Sequence, residues 1–492
     1  MSYLRIFFAG LGFIIFSSLP ATAAVSLRDS VLKVFTMSNS MDYYQPWQSV
    51  GNAGKTGSAV VISGNRILTN AHVVSDHTFI QVRKDSDPKK YTAKLLAVAH
   101  DCDLALLTVE DESFFKGVEP VDFGELPKLQ EAVTVLGYPE GGDKLSITEG
   151  VISRIEITTY FESSRKLLTV QIDAALNPGN SGGPVLQNGK IVGIAMQGIS
   201  NSQNIGYMIP APVINHFFKD LDDGKYDGFP ALGIEVTNTE NPTLREFYKI
   251  KDQKGGVLIN KVMPAMAAFD HLKEGDVVFK IDNVAIGEDG TFEFRDNERL
   301  SLTYLIDSKQ IGEDVDIQFI RDGKMQDVKI KVGGFAQLVP PINYIEKPTY
   351  YIYGGLVFTV LSTDLLRAWG NRWLEQSPID FLYYLLGTGR LNDENKKEIV
   401  VLLQILPDNI NVGYHQYQNM IIKKINSQEV ASFRDLVQTL SNQKDKYTII
   451  ETEQKVKFIL DNENIKSIND EILKRNNIPF QYSDDVKAWL VQ

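Results

Sequence analysis

Between Ser58 and Pro210 the chain is a succession of short β-branched runs broken by Gly, Asp and Asn turns, with no helical periodicity between them. Residues 58–62, 67–69, 79–82, 104–109, 132–136 and 191–195 are such runs. Many short strands without crossover helices cannot form a parallel sheet, so they must close on one another as an antiparallel barrel or sandwich. Apolar residues then recur at helical spacing over 212–221, with Pro212 near the start and Gly224 beyond the end. A helix there closes a first domain. The turn-rich stretch 225–230 marks its boundary.

The remainder of the chain contains a diverged internal repeat. Residues 258–264 (LINKVMP) line up with 401–407 (VLLQILP), and 277–282 (VVFKID) with 421–426 (IIKKIN). Upstream, Leu232-Gly233-Ile234 pairs with Leu356-Val357-Phe358, which leaves extra residues of the second copy within 363–392. In that insertion, 379–386 (IDFLYYLL) reads as an apolar helix with a packing or assembly role. Two copies of one small domain therefore come after the barrel, in keeping with about three domains for 492 residues.

Fifty Lys and Arg against 62 Asp and Glu leave a net charge of −12, without the basic surplus of a nucleic-acid binder. The single cysteine, Cys102, excludes an intramolecular disulfide and any Cys-based zinc site. It reads as a small buried thiol. At the amino terminus, Arg5 precedes the uncharged apolar run 6–19, followed by Pro20 and the small residues Ala21, Thr22, Ala23 and Ala24. That order is a secretory signal peptide over 1–24, which places the mature chain in the periplasm or outside the cell without stable membrane insertion. An uncleaved anchor is the rival reading, although Pro20 and the small polar residues shorten the run below a span.

Three segments of the first domain carry chemistry. Leu68-Thr69-Asn70-Ala71-His72-Val73-Val74 holds one histidine, Asp101-Cys102-Asp103-Leu104-Ala105-Leu106-Leu107 opens a strand with carboxylates, and Asn177-Pro178-Gly179-Asn180-Ser181-Gly182-Gly183-Pro184 is a glycine-rich turn around one serine. Their order is His, Asp, Ser, as in two-barrel serine proteases. A serine hydroxyl needs an imidazole to take its proton, and the imidazole needs a carboxylate to hold its tautomer. With Gly179 two residues before Ser181, the turn can aim two backbone N–H groups at one developing oxyanion.

The motifs TNAHVV, DCDLALL, GYPEGG and NPGNSGGP resemble those of the HtrA/Deg family of trypsin-like serine proteases. The stretch VEPVDFGELPKLQEAVTVLGYP together with ENPTLREF is similar to the plant-type Deg branch with two PDZ domains. The implied fold is mainly β: a chymotrypsin/trypsin-like double β-barrel over 25–226, a PDZ domain over 227–336, a PDZ-like α+β domain with a helical insertion over 337–465, and a C-terminal extension over 466–492. The implied triad is His72 as general base, Asp103 as its orienter in preference to Asp101, and Ser181 as nucleophile. Gly179, Asn180 and Ser181 would form the oxyanion hole. Ala175, six residues before the nucleophile, would lie at the base of the primary pocket, walled by Ile194, Ala195, Met196 and Gln197. With no carboxylate there, a small or medium apolar side chain should fit. The PDZ carboxylate loop would be Ala231, Leu232, Gly233 and Ile234, and Gly354 to Phe358 in the second copy.

The resemblance implies an ATP-independent endopeptidase acting on unfolded or damaged proteins, without a metal or cofactor. It implies a homotrimer or a hexamer, with the aromatics Tyr43, Tyr44 and Trp47 as a trimer contact. A chaperone or scaffold with a resting protease site and a membrane-anchored sensor protease are the alternatives. Activity should fall as His72 protonates, around pH 6–7 for an unperturbed imidazole.

Overall fold

A computed structural model of the chain describes residues 27–196, 206–342, 347–386 and 396–490. The signal-peptide reading of 1–24 and the pocket residue Gln197 lie outside the described residues.

The run of short strands folds as two closed six-stranded barrels. Strands β1 (Val31–Met41), β2 (Ser49–Ile62), β3 (Arg66–Thr69), β4 (His77–Arg83), β5 (Tyr91–Ala99) and β6 (Leu104–Val109) close in the order β1-β2-β3-β6-β5-β4. Strands β7 (Ala132–Gly137), β8 (Ser146–Thr159), β9 (Lys166–Ile172), β10 (Pro184–Gln187), β11 (Lys190–Met196) and β12 (Gly206–Pro210) close in the order β10-β11-β12-β9-β8-β7. Closure leaves neither barrel with an open edge to protect. Between the barrels, Val60 and Leu68 of the first pack with Leu136, Tyr138 and Ile194 of the second. A one-turn helix α1 (Ala71–Val74) comes after β3, and α2 (Ala211–Asp220) closes the domain where helical spacing predicts a helix.

Each repeat copy forms a sheet in which the matched segments hold matched positions. Strands Val257–Val262 and Val277–Ile281 neighbour each other in the first copy, as Val400–Ile405 and Met420–Ile425 do in the second. The upstream match needs correcting by two residues. Ile234 pairs Val262 while Leu356 pairs Ile405, and the carbonyls of Gly233 and Gly355 accept from Met263 N and Leu406 N at 2.8 and 2.7 Å. Gly233 therefore corresponds to Gly355. Both have positive φ, 79° and 85°, so the shared constraint is a left-handed turn that favours glycine.

The insertion forms three short helices, Thr363–Arg367, Trp373–Gln376 and Ile379–Leu385. The segment expected as a C-terminal extension folds back on the second copy as helices Ile465–Arg475 and Asp484–Leu490. Asn469, on the first of these helices, reaches the glycine turn, where its side-chain oxygen accepts from Gly354 N at 3.1 Å.

Tyr43, Tyr44 and Trp47 are half-buried, and within the chain they pack against the second repeat. The first six residues of β2 are exposed while its last six are buried, so the β1–β2 hairpin projects beyond its barrel. Its tip packs on the second repeat: Tyr44 meets Trp369 edge-on at 5.4 Å and Trp47 meets Tyr350 at 6.0 Å. Gln404 Nε2 donates to Tyr44 O at 2.6 Å. Among the described residues no helix is long and apolar enough to cross a membrane.

Candidate active site

The residues of the TNAH segment have separate, visible tasks. Thr69 Oγ1 donates to Ser58 O at 2.7 Å, tying β3 to β2. Asn70, fully buried, donates from Nδ2 to Asp103 O at 2.9 Å. That bond holds Asp103 at φ 56°, a left-handed conformation that a non-glycine residue keeps only when its surroundings impose it. Thus held, the Asp103 carboxylate meets His72 twice. Its Oδ1 accepts from His72 N at 2.9 Å, and His72 Nδ1 lies 2.8 Å from Oδ2 and 3.0 Å from Oδ1. With Nδ1–H directed at the carboxylate, Nε2 is left as the acceptor.

Burial alone would lower the His72 pKa, but the adjacent Asp103 charge and its hydrogen bond outweigh burial and raise it above the ordinary 6.5. The expected pH profile changes accordingly. The acidic limb of kcat/KM should have an apparent pKa above 6.5, activity being lost as pH falls and His72 takes up its proton. A limb at or below 6.5 in a pH–rate profile would contradict this geometry.

Asp101, the competing carboxylate, serves the domain junction instead. It accepts from Tyr226 Oη at 2.6 Å and from Phe229 N at 3.2 Å, anchoring the linker to the first repeat. Cys102 between the two aspartates is fully buried, and burial pushes its thiol well above the ordinary range. A thiol held protonated in a dry site is a poor nucleophile. Iodoacetamide should therefore label Cys102 only after unfolding, as peptide mass spectrometry of native and denatured samples would show.

Most peptide groups of the serine loop already have partners. Pro178 O accepts from Glu140 N at 2.7 Å, Asn180 N donates to Asn177 O at 3.0 Å, and Asn180 O accepts from Gly183 N at 2.9 Å. Ser181 O accepts from Ser58 N at 2.8 Å, and Gly182 N donates to Ala195 O at 3.0 Å. Among the described residues this leaves the N–H groups of Asn177, Gly179 and Ser181 without an acceptor, the last two flanking Asn180 in the loop of the candidate nucleophile. Pro178 O points to Glu140, so the trans peptide turns the Gly179 N–H the opposite way. Gly179 has φ 95°, and a Cβ there would stand 2.4 Å from Tyr138 O. At Gly182 a Cβ would stand 2.1 Å from Ser58 O. Neither position admits a side chain. Among the described residues the His72 and Ser181 side chains share no hydrogen bond, a bond that in such sites often tightens only in the complex with substrate.

The pocket residues are partly rearranged. Ala175 is exposed, and its carbonyl accepts from Thr148 Oγ1 at 3.3 Å. Ile194 is no wall: a register shift where β10 pairs β11 turns it into the core between the barrels, while Ala195 faces the core of the second barrel. Met196 is half-buried. Sequence reasoning missed Leu176. It packs against the second-barrel core that holds Ala195, and a Cβ on Gly206 would stand 2.6 Å from its Cδ1. The available signal was a large apolar side chain directly after Ala174 and Ala175 and just ahead of the glycine-rich turn.

The two repeat grooves differ. In the first copy, Ile234–Asn238 is an edge strand pairing only Val257–Val262. Beside it lies a cavity of about 540 Å³ lined by Leu232, Ile234, Val236 and Ile306, and by Leu374 and Leu386 at the insertion. In the second copy the corresponding edge, Leu356–Val360, is already paired by Tyr350–Tyr353. Its glycine turn donates to Asn469. Among the described residues no cluster of three or more His, Cys, Asp or Glu side chains could hold a metal ion.

Comparison with known proteins gives a consistent outcome. Residues 57–194 match the trypsin-like peptidase domain, and residues 230–332 and 339–485 match PDZ domains. The chain is similar to the chloroplastic protease Do-like 2 of Arabidopsis thaliana, 40% identical over 465 residues, covering 94% of this chain and 76% of that protein. It is 38% identical over 452 residues to the mitochondrial protease Do-like 4 of the same plant, covering 92% of this chain and 84% of that one. Among solved structures, the HtrA-type protease AlgW with tripeptide aligns with a TM-score of 0.51 and 23% identity, covering 64% of this chain and 96% of that one. At that identity the likeness concerns the fold.

Proposed function

Because the chain belongs to the Do-like, or Deg, family of HtrA-type serine proteases, we propose that His72, Asp103 and Ser181 are its catalytic triad and that its substrates are unfolded or damaged proteins. The chain is a serine endopeptidase. One observation carries the residue assignment: the Asp103 carboxylate holds His72 Nδ1, and the serine loop leaves the N–H groups of Gly179 and Ser181, on either side of Asn180, unpaired.

In this reading Ser181 Oγ attacks the scissile carbonyl carbon while its proton passes to His72 Nε2. Charge develops on the carbonyl oxygen and is met by the N–H groups of Gly179 and Ser181, each such donor being worth about 2.7–4 kcal/mol. Asn180 lies between them and supplies the turn. The imidazolium then protonates the leaving amine as the C–N bond breaks, and water releases the acyl group by the same route reversed. The proposed primary pocket is apolar: Ala175 and Met196, with Leu176 limiting its depth and Ala195 buried behind them, suit a small aliphatic side chain. Gln197 belongs to the same proposal.

Members of this family bind peptide substrates through PDZ domains and are commonly oligomeric. The free edge strand and adjoining cavity support the first PDZ domain, through Ala231, Leu232, Gly233 and Ile234, as the reader of an extended chain end. The filled edge of the second supports a structural role there. We further propose a homotrimer that can pair into a hexamer, and export directed by residues 1–24. A single arginine ahead of a continuous apolar run favours a secretory signal over an Arg-rich transit peptide. The substrate reading is tested by comparing one protein in native and in reduced, carboxymethylated form. Faster cleavage of the unfolded form is expected, and equal rates would overturn the quality-control role.

A further inference from the structure

We infer that Ser58, a buried residue of the first barrel, is a positioning residue for the oxyanion hole of the second. It stands on β2, outside the three catalytic segments, and is fully buried. Its hydroxyl donates to Gly179 O at 2.7 Å and accepts from Tyr138 N at 2.8 Å. Its backbone N–H donates to Ser181 O at 2.8 Å, and its own carbonyl is held by Thr69 Oγ1 at 2.7 Å. One residue thus grips the carbonyls of both loop residues whose N–H groups face the reaction.

Peptide geometry makes this grip consequential. The Gly179 carbonyl belongs to the Gly179–Asn180 unit, so fixing that oxygen fixes the plane between the two donors. Gly179 at φ 95° has no side chain to resist rotation, and its carbonyl needs an outside partner to stay in place. Gly137 lies beside the serine hydroxyl, where any side chain would crowd it: a Cβ there would stand 3.0 Å from Ser58 Oγ. Thr69, three residues before His72, sets Ser58 from the other direction. The first barrel therefore orients the general base through Asn70 and Asp103, and aligns the oxyanion donors through Ser58.

This role rests on Ser181 and Gly179 acting as proposed above. Ser58→Ala should lower kcat roughly 10- to 100-fold with KM within about twofold, less than the 10²–10³ of losing a donor outright. A peptide aldehyde, whose adduct with Ser181 Oγ places an oxyanion in the hole, should weaken in proportion to kcat/KM. An uncleaved peptide should bind Ser181→Ala and the Ser58→Ala, Ser181→Ala double variant equally. A general packing defect would weaken both ligands. Should Ser58→Ala fail to fold, Ser58→Cys keeps a side chain at the site with a weak donor and should show the same kcat loss. Folded variants with wild-type kcat, or equal losses in both ligands, would overturn the role of Ser58. Turnover retained by Ser181→Ala alone would instead overturn the active-site reading, so the two failures are distinguishable.

Discussion

Replacing Ser181 by alanine should lower kcat by about 10⁶-fold while leaving the fold intact, the scale expected when the nucleophile of a cooperating triad is removed. The structural cost is small for a stated reason. No hydrogen bond of the described residues uses Ser181 Oγ, whereas the Ser181 carbonyl stays bonded to Ser58 N whatever the side chain. The loop also keeps its other bonds, from Glu140 N to Pro178 O and from Gly183 N to Asn180 O. Thermal unfolding should therefore shift little as turnover of a disordered protein such as casein disappears. A variant that lost activity only by unfolding would show the opposite pattern. Aggregation suppression that survives Ser181→Ala would add a chaperone role without touching the assignment.

The second large effect is at Asp103, where asparagine should reduce kcat by about 10⁴-fold. Both donors of His72 converge on this carboxylate, its backbone N–H on Oδ1 and its ring Nδ1 on Oδ2. An amide has one acceptor for two donors. With its oxygen kept on His72 N, its NH₂ faces Nδ1 and drives the ring proton to Nε2, so the ring cannot accept from Ser181. The charge that raises the His72 pKa is lost as well, so residual activity should titrate at lower pH than in the wild type. Substitution of Asp101 should leave the His72 titration nearly in place, because that carboxylate is committed to Tyr226 and Phe229. A kcat for Asp103→Asn within tenfold of wild type would contradict the proposed geometry.

The proposed catalytic residues stand out in the sequence because each lies in a short contiguous motif whose chemistry demands those residue types. His72 sits on the one-turn helix after β3, Asp103 in the turn before β6, and Ser181 in a loop too crowded for side chains at Gly179 and Gly182. The barrels were legible from strand length and the lack of helices, and the repeat from strands that recur in the same sheet positions. Features that escaped depend on distant pairings. The closure of the second PDZ edge by Tyr350–Tyr353 and Asn469 needs segments on both sides of the repeat to come together. The resemblance places Ile194 in the pocket wall with its three neighbours and does not show the register shift that turns it inward. The contacts of the aromatics at 43–47 within the chain also escaped, because nothing local shows that the β1–β2 hairpin reaches Trp369 and Tyr350. Ser58 is one serine among many in sequence, and only the fold sets it beneath Gly179.

If Ser181 is a nucleophile activated by His72 on a hole built by Gly179 and Ser181, a fluorophosphonate should react with it selectively. Treatment with that reagent, followed by intact mass and peptide mapping, is the most direct test. One adduct per chain on Ser181 is expected, formed in parallel with loss of casein cleavage, and strongly slowed in His72→Ala and Asp103→Asn. An adduct on another residue, or undiminished cleavage by the fully labelled protein, would contradict that chemistry.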